Sequence, residues 1–246
     1  MVSKGARLAV LVSLVCVARS FCQEPPPHEP PPPHERKPSQ WAGELSLGFA
    51  PTFFHATYGD SGEDGDYWIN GFAFSFDYRA VYKPNGFCFA VKMVIGGVGA
   101  DMDIPSGYDA AGFTFDMGDL DGWDYWASYT IGKQFEHDIF TFTPTVGLGA
   151  SWFFLEGDGQ VGYSGYTYYF DYDVSGYQVA LCADFAFGIM FSDNVGISAS
   201  LLMACSLFGS VSESVDIQDM GSASEDYDLD FGCFSCIPSF YLTIRF

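Results

Sequence analysis

The feature that most constrains this chain is a two-residue alternation of large apolar and small side chains, which recurs eight times after residue 43. A period of two is strand geometry, because successive side chains leave opposite faces. The first stretch, about 44–58, sets Leu45, Leu47, Phe49, Pro51 and Phe53 against Ser46, Gly48, Ala50 and Thr52. The second, about 68–83, sets Phe72, Phe74, Phe76, Tyr78 and Tyr82 against Ala73, Ser75, Asp77 and Arg79. The same reading places strands at about 87–99, 123–135, 139–155, 177–191, 195–208 and 231–246. Connections alternate in length. Three are tight: Lys83-Pro84-Asn85-Gly86, Glu136-His137-Asp138 and Ser192-Asp193-Asn194. Four are long, at about 59–67, 100–122, 156–173 and 209–229.

The two faces decide the solvent. A barrel in water carries Lys, Glu and Asp outside and bulky apolar residues inside. Here one face is large and apolar on every strand, and the other is mostly Gly, Ala, Ser and Thr. Such small residues cannot hydrate a surface of this size, but they can line a narrow interior. The bulky face is therefore expected in lipid. Closure follows, because an open edge in hydrocarbon leaves backbone groups unpaired. The fold class expected is all-β, an eight-stranded antiparallel transmembrane up-and-down β-barrel over 44–246. Trp68, Trp123 and Trp152 gather toward the long connections. Tyr78, Tyr82, Phe87, Phe135, Phe140 and Phe191 gather toward the tight turns. Two aromatic girdles would be arranged in this way.

Residues 1–20 read as a signal peptide: Lys4 and Arg7, an apolar run from Leu8 to Val17, then Ala18 and Ser20 before the cut. Lipidation at Cys16 or Cys22 is the other reading of this end, and neither Cys follows small residues. Residues 21–43 read as a periplasmic linker, Pro-rich and extended, with His28 and His34 in it.

The last strand ends Tyr241-Leu242-Thr243-Ile244-Arg245-Phe246. This resembles the terminal-strand signature that a barrel-assembly machinery reads, apolar residues alternating up to a final Phe. With the strand count and the loop alternation over 44–246, the chain resembles small bacterial outer-membrane barrels of the OmpA, OmpX and OmpW kinds, with the OmpW group nearest in architecture. The resemblance implies the outer membrane and its lipid as surroundings, and assembly through the strand ending at Phe246. The OmpW group is associated with uptake of small hydrophobic molecules. Short turns on the periplasmic side put both termini there.

Charge excludes some classes. Ten Lys and Arg stand against 31 Asp and Glu, so nucleic acid is not an expected partner. No Lys or Arg lies in any long connection, while acids crowd there. That rim repels anions and concentrates cations. Asp60, Asp64 and Asp66 resemble a Ca²⁺ loop weakly, with the wrong spacing for an EF-hand. No cofactor is expected.

In the tight-turn half, Arg79, Lys92 and Arg245 project inward with Glu44, Asp77 and Asp184 at similar depth. Buried charges need partners, so these six form a lumen network that acts as a plug or a gate. Pro51 and Pro238 fall midway along the first and last strands, which are neighbours at closure. Each lacks a ladder donor, which gives either a weakened lateral seam or two tolerated bulges. Catalysis is not expected, because His55 and His137 fall near opposite ends. Cys233 and Cys236 point to opposite faces of a strand, whereas Cys88 and Cys182 both face inward. The function expected is a narrow channel for small solutes, hydrophobic ones included. The other reading is a surface-exposed barrel for adhesion or membrane integrity, with the Tyr-rich 163–172 segment binding an extracellular ligand.

Overall fold

The computed structural model describes residues 39–60, 63–102, 113–163, 165–218, 221–228 and 234–246. The signal peptide, the Pro-rich linker up to residue 38, both leader cysteines and Cys233 lie outside these residues. In chain order the strands are β1 (Trp41–Asp60), β2 (Glu63–Tyr82), β3 (Phe87–Met102), β4 (Phe113–Met117), β5 (Leu120–Lys133) and β6 (Phe135–His137). They continue with β7 (Phe140–Tyr163), β8 (Tyr166–Met190), β9 (Val195–Ile217), β10 (Gly221–Asp228) and β11 (Phe234–Arg245). Eight of them form a closed antiparallel ring in the order β1-β2-β3-β5-β7-β8-β9-β11, and β11 pairs back onto β1. The short strands β4 and β6 lie on β7, and β10 lies on β9.

The expected phase holds on every strand of the ring. Phe72, Phe74 and Tyr129 point outward and are 62%, 71% and 72% exposed, while Ala50, Asp77 and Ser239 point inward and are buried. One bulge resets the phase. Ala180 pairs with Ser206 and Val179 with Phe208, so Leu207 has no opposite residue. A bulge inserts one residue and turns the following side chains over. Ser206 and Val211 are accordingly both buried, while Leu207 and Phe208 are both exposed.

The long connections are shorter than the alternation indicates. β1 and β2 form a continuous hairpin up to Asp60 opposite Glu63. β7 and β8 stay paired out to Tyr163 opposite Tyr166, so the Tyr-rich segment is a β-extension. β9 runs on to Ile217, where β10 folds back along it. These extensions hold because their inward positions are apolar. Val161, Phe170, Tyr172 and Val174 pack with Phe54, Ile69, Leu120, Phe153, Leu155 and Val211 in one buried cluster. The lumen therefore has a lining of tiny residues only in its middle part, and its loop end is filled by large side chains. A middle cluster of Ala50, Ala73, Ala180, Ala204, Val94, Leu202, Ile237 and Cys182 surrounds Trp126.

The outward rows are expected to tolerate no charge. Phe74→Arg should lower unfolding stability in lipid vesicles by about 2–4 kcal/mol if that face meets the bilayer core. Denaturant titration of the refolded variant checks this, and wild-type stability would refute a lipid-facing row.

Candidate functional site in the barrel lumen

Below the middle cluster the six charged residues of the lumen form two groups. In the upper group Arg79 pairs with Asp77 on its own strand and lies 3.8 Å from Asp184 across the lumen. Lys92 Nζ donates to Asp184 Oδ1 at 2.7 Å and to Ser200 Oγ at 2.6 Å. The ammonium also sits 5.9 Å from the centroid of the Tyr241 ring, whose hydroxyl is 2.7 Å from Ser75 Oγ. These residues come from β2, β3, β8, β9 and β11, so the group ties together strands that are not neighbours.

The lower group lies at the tight-turn mouth. Arg245 donates to Glu44 Oε1 through Nε at 2.9 Å and Nη2 at 2.6 Å, and to Glu136 at 2.8 Å. Gln134 Nε2 donates to Glu44 at 3.0 Å and to Glu136 at 2.7 Å. A cavity of about 560 Å³ opens here, lined by both glutamates, Lys83, Gln134, Asp193 and Arg245 among others. The alternation places the six charges, but Glu136 reads as a turn residue in sequence. Its role depends on β6, a three-residue strand too short to carry a pattern.

The ring closes through Pro51 and Pro238. β1 and β11 pair from Glu44–Arg245 to Phe49–Phe240, and again from Phe53–Cys236 to His55–Phe234. The flanking pairs Phe49–Phe240 and Phe53–Cys236 are the same number of positions apart on both strands, so the register is unchanged and neither proline sits in a bulge. At constant register Pro51 lies directly opposite Pro238. Gly43 and Phe246 exchange both backbone bonds at 2.9 Å, and every second pair along an antiparallel ladder is of that kind. Stepping by two from Gly43–Phe246 reaches Pro51–Pro238. Neither proline has an N–H, so the two missing bonds fall at one point of the seam. Thr52 and Ser239 flank it on the lumen side, both buried.

The remaining candidates lie apart. The backbones of Asp60, Asp64 and Asp66 run in the β1–β2 hairpin opposite Glu63, Gly59 and Thr57, and their side chains are outside the described residues. Among the described residues no cluster of His, Cys, Asp or Glu is arranged to hold a metal. His55 stacks on Trp68 with centroids 4.2 Å apart. His137 is exposed beside Asp138 at a tight turn. Cys88 and Cys182 face inward as free, buried thiols. On the loop-end sheet, Asp121, Glu156 and Asp173 stand opposite one another, and so do Asp158, Asp171 and Asp216.

This is the architecture of a transmembrane β-barrel: a closed eight-stranded antiparallel ring, apolar outside, with paired charges within. No protein-family model and no curated protein matches the chain. Solved structures do match. A major outer membrane protein from Thermus thermophilus is 13% identical with a TM-score of 0.51, covering 83% of this chain and 99% of that one. The outer membrane protein OprG from Pseudomonas aeruginosa is 10% identical with a TM-score of 0.51, covering 83% of this chain and 95% of that one. The outer membrane protease OmpT from Escherichia coli is 9% identical with a TM-score of 0.47, covering 85% and 97%. The chain has the fold of the small bacterial outer-membrane β-barrel proteins.

The lumen ion pairs predict a non-additive mutant cycle. Asp184→Asn removes the partner shared by Lys92 and Arg79 and should destabilise by about 3–5 kcal/mol. Combining Asp184→Asn with Lys92→Met should recover much of that loss. Additive losses in denaturant titration would show that the pair is not coupled.

Proposed function

We propose that the barrel is a non-enzymatic outer-membrane conduit for small hydrophobic solutes that leave sideways through the β1–β11 seam. The observation that carries this is the position of the Pro51–Pro238 break. It lies at the height of the middle cluster, with the apolar cluster toward the loop end and the ion-paired groups toward the turns. An apolar solute crosses a wall of Phe, Leu and Val at low cost, but it cannot displace Lys92 from Asp184 without leaving a charge unpaired. The floor is thus a plug and the weak seam is the remaining way out. The tight turns and both chain termini face the periplasm, the acidic extensions face outward, and the strand ending at Phe246 is the segment handed to the assembly machinery.

The second reading is a surface protein for adhesion or membrane integrity. It draws on the exposed Tyr163, Tyr166 and Tyr169 of the β7–β8 extension, because Tyr-rich surfaces suit binding. The interior favours the conduit, since a purely adhesive barrel has no use for a broken ladder at closure.

Two measurements test the conduit. Cells carrying the chain in their outer membrane should take up N-phenylnaphthylamine faster than cells without it. The double variant Pro51→Thr with Pro238→Thr, which restores both ladder donors, should lose most of that gain. Full uptake by the double variant would end the lateral route. In planar bilayers, Lys92→Ala should leave ion conductance as low as in the parent chain, because the apolar cluster still closes the loop end. A rise in conductance would make the charge network a gate instead.

A further inference from the structure

Five buried polar atoms around the middle cluster have no hydrogen-bond partner among the described residues: Thr52 Oγ1, Trp126 Nε1, Gln178 Oε1, Ser206 Oγ and Ser239 Oγ. All five residues are more than nine-tenths buried. The register gathers them. Trp126 is itself in the cluster. Thr52, Ser239 and Gln178 lie two residues along their strands from Ala50, Ile237 and Ala180, which are cluster members and share their inward face. Ser206 pairs directly with Ala180. Folded proteins leave few buried polar groups unpaired, and each one calls for an explanation. Thr52, Gln178 and Ser206 lie on the loop side of the cluster and Ser239 on the turn side, opposite Ser200, so the five line one stretch of the lumen and call for partners from outside the chain.

Their chemistry describes the partner. The Trp126 indole N–H can only donate. Gln178 Oε1 can only accept, and its amide nitrogen already donates to Ser235 Oγ at 3.0 Å. The three hydroxyls do either. No unpaired charge borders this stretch among the described residues, because Lys92 and Arg79 just below it are held by Asp184 and Asp77. A charged ligand would therefore be buried without a counter-ion. A hydrocarbon would leave Trp126 and Gln178 as they are. Val94, Leu202, Ile237 and the alanines of the cluster supply the apolar part of the wall, and the other inward groups beside them are uncharged serines such as Ser151 and Ser235.

We propose that the middle of the barrel binds an uncharged, mostly apolar small molecule with one head that both donates and accepts a hydrogen bond, of the alcohol, phenol or amide class. This rests on the conduit reading above and narrows its substrate class, because the site lies directly behind the Pro51–Pro238 break. Thr52 and Ser239 are the groups a solute meets last before the seam. A site built to hydrogen-bond a hydroxyl rejects the analogue that lacks it far more strongly than an apolar pocket rejects a change of size.

p-Cresol and toluene test this, since they differ by a single hydroxyl. The full chain, refolded in detergent micelles with ¹⁵N-labelled tryptophan, reports through the Trp126 indole N–H, assigned by its loss in Trp126→Phe. p-Cresol should shift that signal saturably, at least about tenfold more tightly than toluene does. Thr52→Val with Ser239→Ala should weaken p-cresol binding several-fold, while the spectrum otherwise stays that of the folded barrel. Equal responses to both probes, or no saturable response to p-cresol, would overturn the proposal and leave water as the partner of these groups. N-phenylnaphthylamine uptake is scored separately. Uptake without any p-cresol response removes the site and spares the conduit, whereas a p-cresol response without uptake supports the site and removes the conduit.

Discussion

In hydrocarbon a backbone amide has no water to turn to, so every N–H and C=O must find its partner within the protein. A strand sheet meets that demand only by closing on itself. The rest of this molecule follows from closure. The ring makes an inside, the inside sorts the side chains, and the pairing of β11 with β1 becomes the one joint between residues far apart in sequence. At that joint the ladder is interrupted opposite the two prolines. Elsewhere in the ring each strand is bonded on both sides, and the irregularity at Leu207 is a bulge that shifts the register instead of interrupting it.

The lumen is layered, and each layer solves a different packing problem. Toward the loop end the inward positions are Phe, Leu, Ile, Val and Tyr, which fill the section and continue into the paired extensions. In the middle most positions are small, and one indole, Trp126, projects among them. Glycine is required beside it. A Cβ on Gly149 would fall 2.6 Å from the Trp126 ring and 2.8 Å from Cys182 Sγ. Toward the turns the section carries charges whose desolvation is offset by mutual pairing and by hydroxyls such as Ser200. Such pairs add little net stability over apolar packing, but they are costly to break singly.

The extensions at the loop end carry the opposite electrostatic character. Carboxylates stand directly across from one another on β5, β7, β8 and β9, an arrangement that destabilises a sheet. The inward face of the same strands carries the apolar cluster and holds them together against that repulsion. With no Lys or Arg in these segments, the field at this end disfavours anionic solutes and leaves neutral ones unaffected.

Much of this was legible in the sequence. The period of two, the bulky face and the alternation of connection lengths determined the strand number, the inward set and the closure, because alternation at period two has only one geometric meaning and lipid has only one tolerance. The six lumen charges, the inward cysteines and the positions of both prolines followed from the same phase. Tertiary structure decided what depends on register and on distance across the lumen. It split the six charges into two groups and drew Glu136 into one of them. It placed Pro51 opposite Pro238 at a ladder position where two backbone bonds would otherwise form, and turned much of the supposed long loops into strands. It also gathered Thr52, Trp126, Gln178, Ser206 and Ser239 around one cluster. Each of these relates residues on strands whose relative shift is set only when the ring closes, and no local pattern along a single strand encodes that shift.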